Sequence, residues 1–258
     1  MLIRQLLLGL LLVVPVCCYG IDIAAQEDLI QEISSELRKG RYEEAQDAAK
    51  RLLKAEPRVE VKLFIADTLL RCGDAKTSLK LFDQYVEAKP DSEPYLWQRG
   101  IAQYFVGEYK AGVDQFEIHR KVNPNDVENA AWHFLCLAKN QSPKEAKALL
   151  LPAPGDPRPP MAEVLEMLRS GDKSIVKQKI ESFDEGSRSR GTAEFYGWFY
   201  LGLYEDALGD KAKAAEWLKK SASVAPRNYM GGPCLRRNLA IRLKARCRGP
   251  QSCYGPRA

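Results

Sequence analysis

The sequence predicts an all-α protein: a right-handed α-solenoid of stacked helical hairpins, with an irregular helical insertion before the last hairpin. Three observations carry this. Pro57, Pro90, Pro124 and Pro226 each follow a glycine by 17 residues, the glycines being Gly40, Gly73, Gly107 and Gly209. The first three prolines stand 33 and 34 residues apart, a period that belongs to arrays of helix–turn–helix units. Within each unit small and large apolar residues recur at matching places, as two antiparallel helices in close contact require.

The units can be justified in order. The first, residues 26–59, has Gly40, Tyr42, Ala45 and Pro57; the second, residues 60–92, has Ala66, Gly73, Phe82 and Pro90. The third, residues 93–126, has Leu96, Gly100, Tyr109, Phe116 and Pro124. The last, residues 195–228, has Trp198, Leu201, Gly202, Ala214, Leu218 and Pro226. The turn glycine stops the first helix because it reaches positive φ without strain, and the proline stops the second. A single hairpin cannot bury its apolar face alone, so the hairpins must stack. Residues 127–151 read as a degenerate hairpin, with Gln141-Ser142-Pro143 where the glycine should be. Residues 152–191 begin with a proline-rich connector that cannot be helical. Two short amphipathic helices follow, at Met161–Arg169 and Lys173–Phe183, and then a polar loop from Gly186 to Gly191.

These signature positions resemble the tetratricopeptide-repeat (TPR) family. The blocks from Pro94 to His119, from Val122 to Cys136 and from Tyr196 to Gly209 are similar to those of exported, largely uncharacterised TPR proteins of bacterial type. In layout the chain also resembles TPR adaptor lipoproteins of the cell envelope, although no small residue precedes Cys17 as lipid attachment would need. The resemblance implies a scaffold or adaptor and supplies no catalytic residue. It also implies that positions 2, 5, 9, 12 and 13 of each unit face a concave groove. Those positions include Arg38 in the first unit, Asp67 and Arg71 in the second, Trp97, Ile101, Tyr104 and Phe105 in the third, Lys139 in the fourth, and Tyr196, Phe199 and Asp206 in the last. Aromatic anchors ringed by charge suit capture of a peptide or protein segment. The alternative is a groove filled by the chain's own helices, which makes the same aromatics core.

Composition sets the remaining bounds. Of 258 residues, 45% are hydrophobic and 28% charged, as in globular domains. The net charge of +5 is unevenly spread: from Arg227 onward there are eight basic and no acidic residues, leaving −3 for the rest. Arg4, the apolar run Leu6–Val16 and Cys18-Tyr19-Gly20 predict a signal peptide over residues 1–20, cleaved near Gly20, and hence an exported product in the periplasm or outside the cell. An uncleaved anchor is the other reading of that run. Residues 229–258 read as a basic cap or tail, in which Cys234, Cys247 and Cys253 are disulfide candidates in an oxidising compartment.

His119, His133 and Cys136 are the one set with metal-ligand chemistry, since His133 and Cys136 share a helical face three residues apart. No HExxH, CxxC, P-loop, G-x-S-x-G or dinucleotide fingerprint accompanies them, and a buried hydrogen-bonded histidine pair beside Trp132 is the more ordinary reading. The sequence therefore predicts a non-catalytic interaction module with no cofactor and a protein or peptide partner. Two alternatives stand beside it: a homo-oligomeric scaffold with a self-filled groove, and a metal-dependent enzyme using His119, His133 and Cys136. Nucleic acid is not expected as a partner, and membrane contact is expected only through the basic tail.

Overall fold

The computed structural model describes residues 23–225. Twelve α-helices and one 3-10 segment make up its regular structure, and no strand occurs among the described residues. Helices α1 (Ile23–Lys39) and α2 (Tyr42–Lys54) form the first hairpin, α3 (Val59–Arg71) and α4 (Ala75–Ala88) the second. After the 3-10 segment Pro90–Tyr95, α5 (Trp97–Val106) and α6 (Tyr109–Arg120) form the third. Then come α7 (Val127–Asn140), α8 (Pro143–Ala148), α9 (Met161–Ser170), α10 (Ser174–Glu181), α11 (Arg188–Leu208) and α12 (Lys211–Val224). Each helix packs on its neighbours in chain order, which makes a solenoid of hairpins. The predicted signal segment, Pro226, the basic tail and Cys234, Cys247 and Cys253 lie outside the described residues.

The repeated glycine is explained by its turn. At Gly73, φ is +92°, its N–H donates to the Leu70 carbonyl at 3.1 Å, and the Asp74 N–H donates to the Leu69 carbonyl at 2.9 Å. This pair of bonds satisfies two of the carbonyls that a helix end leaves unpaired, and it needs a left-handed residue. Gly40, Gly107 and Gly209 repeat the arrangement. The next residue then starts the second helix: the Asp74 carboxylate accepts from the Thr77 N–H, and that of Asp210 from the Lys213 N–H. One two-residue sequence thus ends one helix and caps the next. In the fourth hairpin Ser142 accepts from the Glu145 N–H and Pro143 takes the first helical turn, so the turn forms without glycine.

Small residues set the spacing between helices, as the pattern predicts. A Cβ added to Gly100 would lie 2.6 Å from the Phe116 ring, and one added to Gly202 would lie 2.6 Å from Leu218 Cγ. Ala45 and Ala214, their counterparts on second helices, are fully buried. The core runs without a break from Ile33 to Leu218.

One boundary differs from expectation. The segment 186–191 is not a polar loop along its length, because α11 already begins at Arg188, seven residues before the predicted repeat. Ser187 caps it by accepting from the Arg190 N–H. The Arg190 side chain then donates to the Ile180 carbonyl at 2.9 Å and pairs with Glu194 at 2.8 Å, tying the start of α11 to the end of α10. The connector has no helix from Leu149 to Pro160, as its prolines require.

Gly100→Ala separates packing from propensity. Alanine raises helix propensity by about 1 kcal/mol, but forcing a methyl into the Phe116 ring costs about 1–3 kcal/mol. The midpoint of thermal unfolding is therefore expected to fall; a variant as stable as the parent would mean that Gly100 does not set this helix spacing.

Candidate functional site

The residues at groove register do not share one environment. In the first three hairpins Ile30, Leu37, Leu63, Trp97 and Phe105 stay partly exposed. Asp67 and Arg71, one helical turn apart, are joined by a 2.7 Å hydrogen bond with 23% and 24% of their side chains accessible. Burial raises the Asp67 carboxyl above its usual range, and Arg71 opposes that rise. Ile101, Tyr104, Tyr196 and Phe199, by contrast, are buried core residues and offer no surface to a partner. Of these expected groove residues, the structure keeps Trp97, Phe105, Asp67 and Arg71 accessible and takes Ile101, Tyr104, Tyr196 and Phe199 inside.

The cause is α11. Its length and its packing on α7 bring together residues far apart in sequence. The Tyr104 hydroxyl of α5 donates to Asp206 Oδ2 of α11 at 2.8 Å. Lys139 of α7 donates to the Asp206 carbonyl, with its ammonium also 3.8 Å from Oδ2. Beside these polar links lies an aromatic cluster. Trp132 of α7 meets Tyr104 edge-on at 5.4 Å, stacks with Phe116 at 6.5 Å and touches Phe199 at 6.5 Å, while Phe134 stacks on Tyr204 at 5.9 Å. Such pairs add to the burial of large aromatic area. The chain's own helices thus cover Ile101, Tyr104, Tyr196 and Phe199, while Trp97, Phe105, Asp67 and Arg71 stay partly exposed.

The histidines and Cys136 serve packing. His119 Nδ1 is 2.7 Å from the Pro94 carbonyl, fixing α6 against the 3-10 segment. His133 Nε2 is 3.5 Å from Glu117; burial lowers the His133 pKa and Glu117 pulls the other way. Cys136 is buried against Gly112, where an added Cβ would meet its sulfur at 2.6 Å. Among the described residues no group of three or more His, Cys, Asp or Glu side chains is placed to hold a metal ion.

A cluster that the sequence reading missed is built on Arg158 of the connector. Its guanidinium donates to Asp156 at 2.6 and 2.9 Å, to Asp126 at 2.7 Å and to Glu128, and it lies 5.5 Å over the Tyr196 ring. Asp156 also accepts from the Val127 N–H, and Asp126 from the Glu128 N–H, so the same carboxylates cap α7. The Tyr200 hydroxyl donates to Glu128 at 2.9 Å. One cation thereby holds the connector, the start of α7 and α11 together. Burial pushes the Glu128 carboxyl up, against Arg158. Burial also acts to raise Asp156, but its hydrogen bonds from Arg158 outweigh that and hold it below the usual range.

Arg158→Met leaves three carboxylates facing one another. Glu128, with its folded pKa already raised, is most costly when ionised, so the loss should be greatest near neutral pH and shrink as acid protonates it. Removing one partner of a buried pair costs about 3–5 kcal/mol, and partial exposure here reduces that to about 2–3. Thermal unfolding at pH 7 and pH 5 checks this. A larger deficit at pH 7 is expected, and an equal deficit at both would show that charge is not what Arg158 supplies.

Against known proteins, residues 30–93 match the family model described as tetratricopeptide repeat. The chain is similar to a tetratricopeptide repeat protein from Parabacteroides merdae at 15% identity and a TM-score of 0.44, over 84% of this chain and 99% of that one. It is also similar to a solved structure titled MamA MSR-1 C2, at 19% identity and a TM-score of 0.44, over 77% and 99% of the two chains. A MamA structure from Desulfovibrio magneticus RS-1 is 15% identical with a TM-score of 0.42, over 77% and 94%. That match takes in nearly all of the first hairpin unit and the whole of the second.

Proposed function

We propose that this chain is a non-catalytic interaction module that holds a peptide or protein segment along the groove of its first three hairpins, outside the cytoplasm. One observation carries the reading: at groove register Ile30 and Leu37 of α1, Leu63, Asp67 and Arg71 of α3 and Trp97 and Phe105 of α5 are half-open, while Ile101 and Tyr104 of α5 and Tyr196 and Phe199 of α11 are sealed. Trp97 and Phe105 offer aromatic anchors, Ile30, Leu37 and Leu63 an apolar floor, and the Asp67–Arg71 pair a polar edge. Partly exposed apolar side chains gathered on one face mark interaction sites. The N-terminal apolar run Leu6–Val16 supports export. The buried half, braced by α11 and Arg158, gives that groove a rigid end, so binding does not have to order it.

Affinity capture from the native envelope fraction tests this, comparing the parent with Leu63→Glu combined with Trp97→Ala. Both positions are partly exposed, so the variant should fold, with an unchanged circular dichroism spectrum. A partner retained by the parent should fall at least about tenfold with the variant, as loss of an aromatic hot spot predicts. Identical recovery from both would move the interaction off the groove. A concentration-dependent mass in light scattering, with no captured partner, would favour the homo-oligomeric scaffold.

A further inference from the structure

The joint between α6 and α7 gathers buried polar atoms that the protein's own groups leave without partners. The two helices run antiparallel: a Cβ added at Gly112 would meet Cys136, and four residues further along α6 the Phe116 ring stacks with Trp132. One more turn of α6 brings Arg120 level with Glu128 and Asn129. Asn129 and His133, one turn apart on α7, are 3% and 1% exposed, and both side chains reach across to α6. Asn129 Nδ2 donates to the Phe116 carbonyl at 3.1 Å, and His133 Nε2 lies 3.5 Å from Glu117 Oε1. Asn129 Oδ1 and His133 Nδ1 remain buried with no hydrogen-bond partner, and so does Nε of the half-buried Arg120. Arg120 belongs to the same locality, because its charge acts on the His133 ring.

The three atoms are chemically complementary. The bond to Phe116 fixes the orientation of the Asn129 amide, so its free atom is the accepting oxygen. His133 Nε2 faces a carboxylate and therefore carries the ring proton, which makes Nδ1 a second acceptor. Burial, the largest influence, and the Arg120 charge keep that ring neutral against the pull of Glu117. The Arg120 Nε–H is a donor and nothing else. One donor and two acceptors, none within hydrogen-bond reach of another, are satisfied together by a molecule that accepts once and donates twice.

We propose that one ordered water is bound between α6 and α7, accepting from the Arg120 Nε–H and donating to Asn129 Oδ1 and His133 Nδ1. Waters buried in globular proteins make about three such bonds to groups that would otherwise go unpaired, and polar atoms just beyond direct reach are commonly bridged this way. A metal ion is not the ligand, since a guanidinium stands at the site and the one carboxylate there, Glu117, is mostly exposed. An anion is not the ligand either, because two of the three free atoms are acceptors that would repel it. The site is independent of the groove reading, and neither depends on the other.

A high-resolution crystal structure of the full chain tests the position. One water is expected within about 2.7–3.2 Å of all three atoms. In solution, spectra of protein carrying nitrogen-15 histidine should show His133 protonated at Nε2 and bare at Nδ1. Cross-relaxation with a long-lived water should appear at the Arg120 Nε–H in the same protein. A direct bond from the Arg120 Nε–H to Asn129 or His133, a joint closed by side chains with no water in it, a water reaching fewer than all three atoms, or a His133 proton on Nδ1 would overturn the proposal.

Discussion

The packing of α11 onto α7 and α5 is the contact on which the rest of this structure depends. A stack of hairpins is quasi-one-dimensional, each unit touching its neighbours, and nothing in that plan joins the third unit to the last. Here Tyr104 and Asp206 meet across 102 residues of sequence, and Trp132 lies between Phe116 on one side and Phe199 on the other. The carboxylate of Asp206 is buried, so its bond to Tyr104 and its approach to Lys139 replace solvent it has lost. The contact takes Tyr104, Trp132 and Phe199 into the core and leaves Trp97 and Phe105 partly exposed.

Arg158 secures the geometry that makes this contact reachable. The proline-rich connector has no helical hydrogen bonds of its own, so its course between α8 and α9 must be fixed by side chains. Asp156 and Arg158 supply that, binding each other and the first turn of α7, while Tyr200 and Tyr196 bring α11 to the same place. The degenerate part of the array is therefore the most heavily tied, and the regular hairpins before it keep an accessible face.

How much of this was legible in the sequence follows from the range of each interaction. The turns were readable because the left-handed glycine, the capping aspartate and the closing proline act within a few residues; Gly73 and Asp74 carry their whole explanation locally. Gly100 against Phe116 was readable because one repeat contains both partners. The early start of α11 was hidden, since Ser187 and Arg190 look like loop residues until the Ile180 and Phe183 carbonyls are placed beside them. The burial of Ile101, Tyr104, Tyr196 and Phe199 was hidden as well. Register assigns a side chain to a face but does not say what covers it: residues 104 and 206 hold the same position in their units, and that equivalence does not predict that they touch. The one local hint of the Arg158 cluster, an acid and a base two apart among prolines, became informative only once Asp126 and Glu128 were seen beside it.

The most direct test of the closed half is a double-mutant cycle between Tyr104→Phe and Asp206→Ala, read as unfolding free energy. A direct bond between a hydroxyl and a buried carboxylate predicts a coupling of about 1.5–3 kcal/mol. Additive effects, within about 0.3–0.5 kcal/mol, would mean that the two side chains do not meet and that α11 does not close the groove.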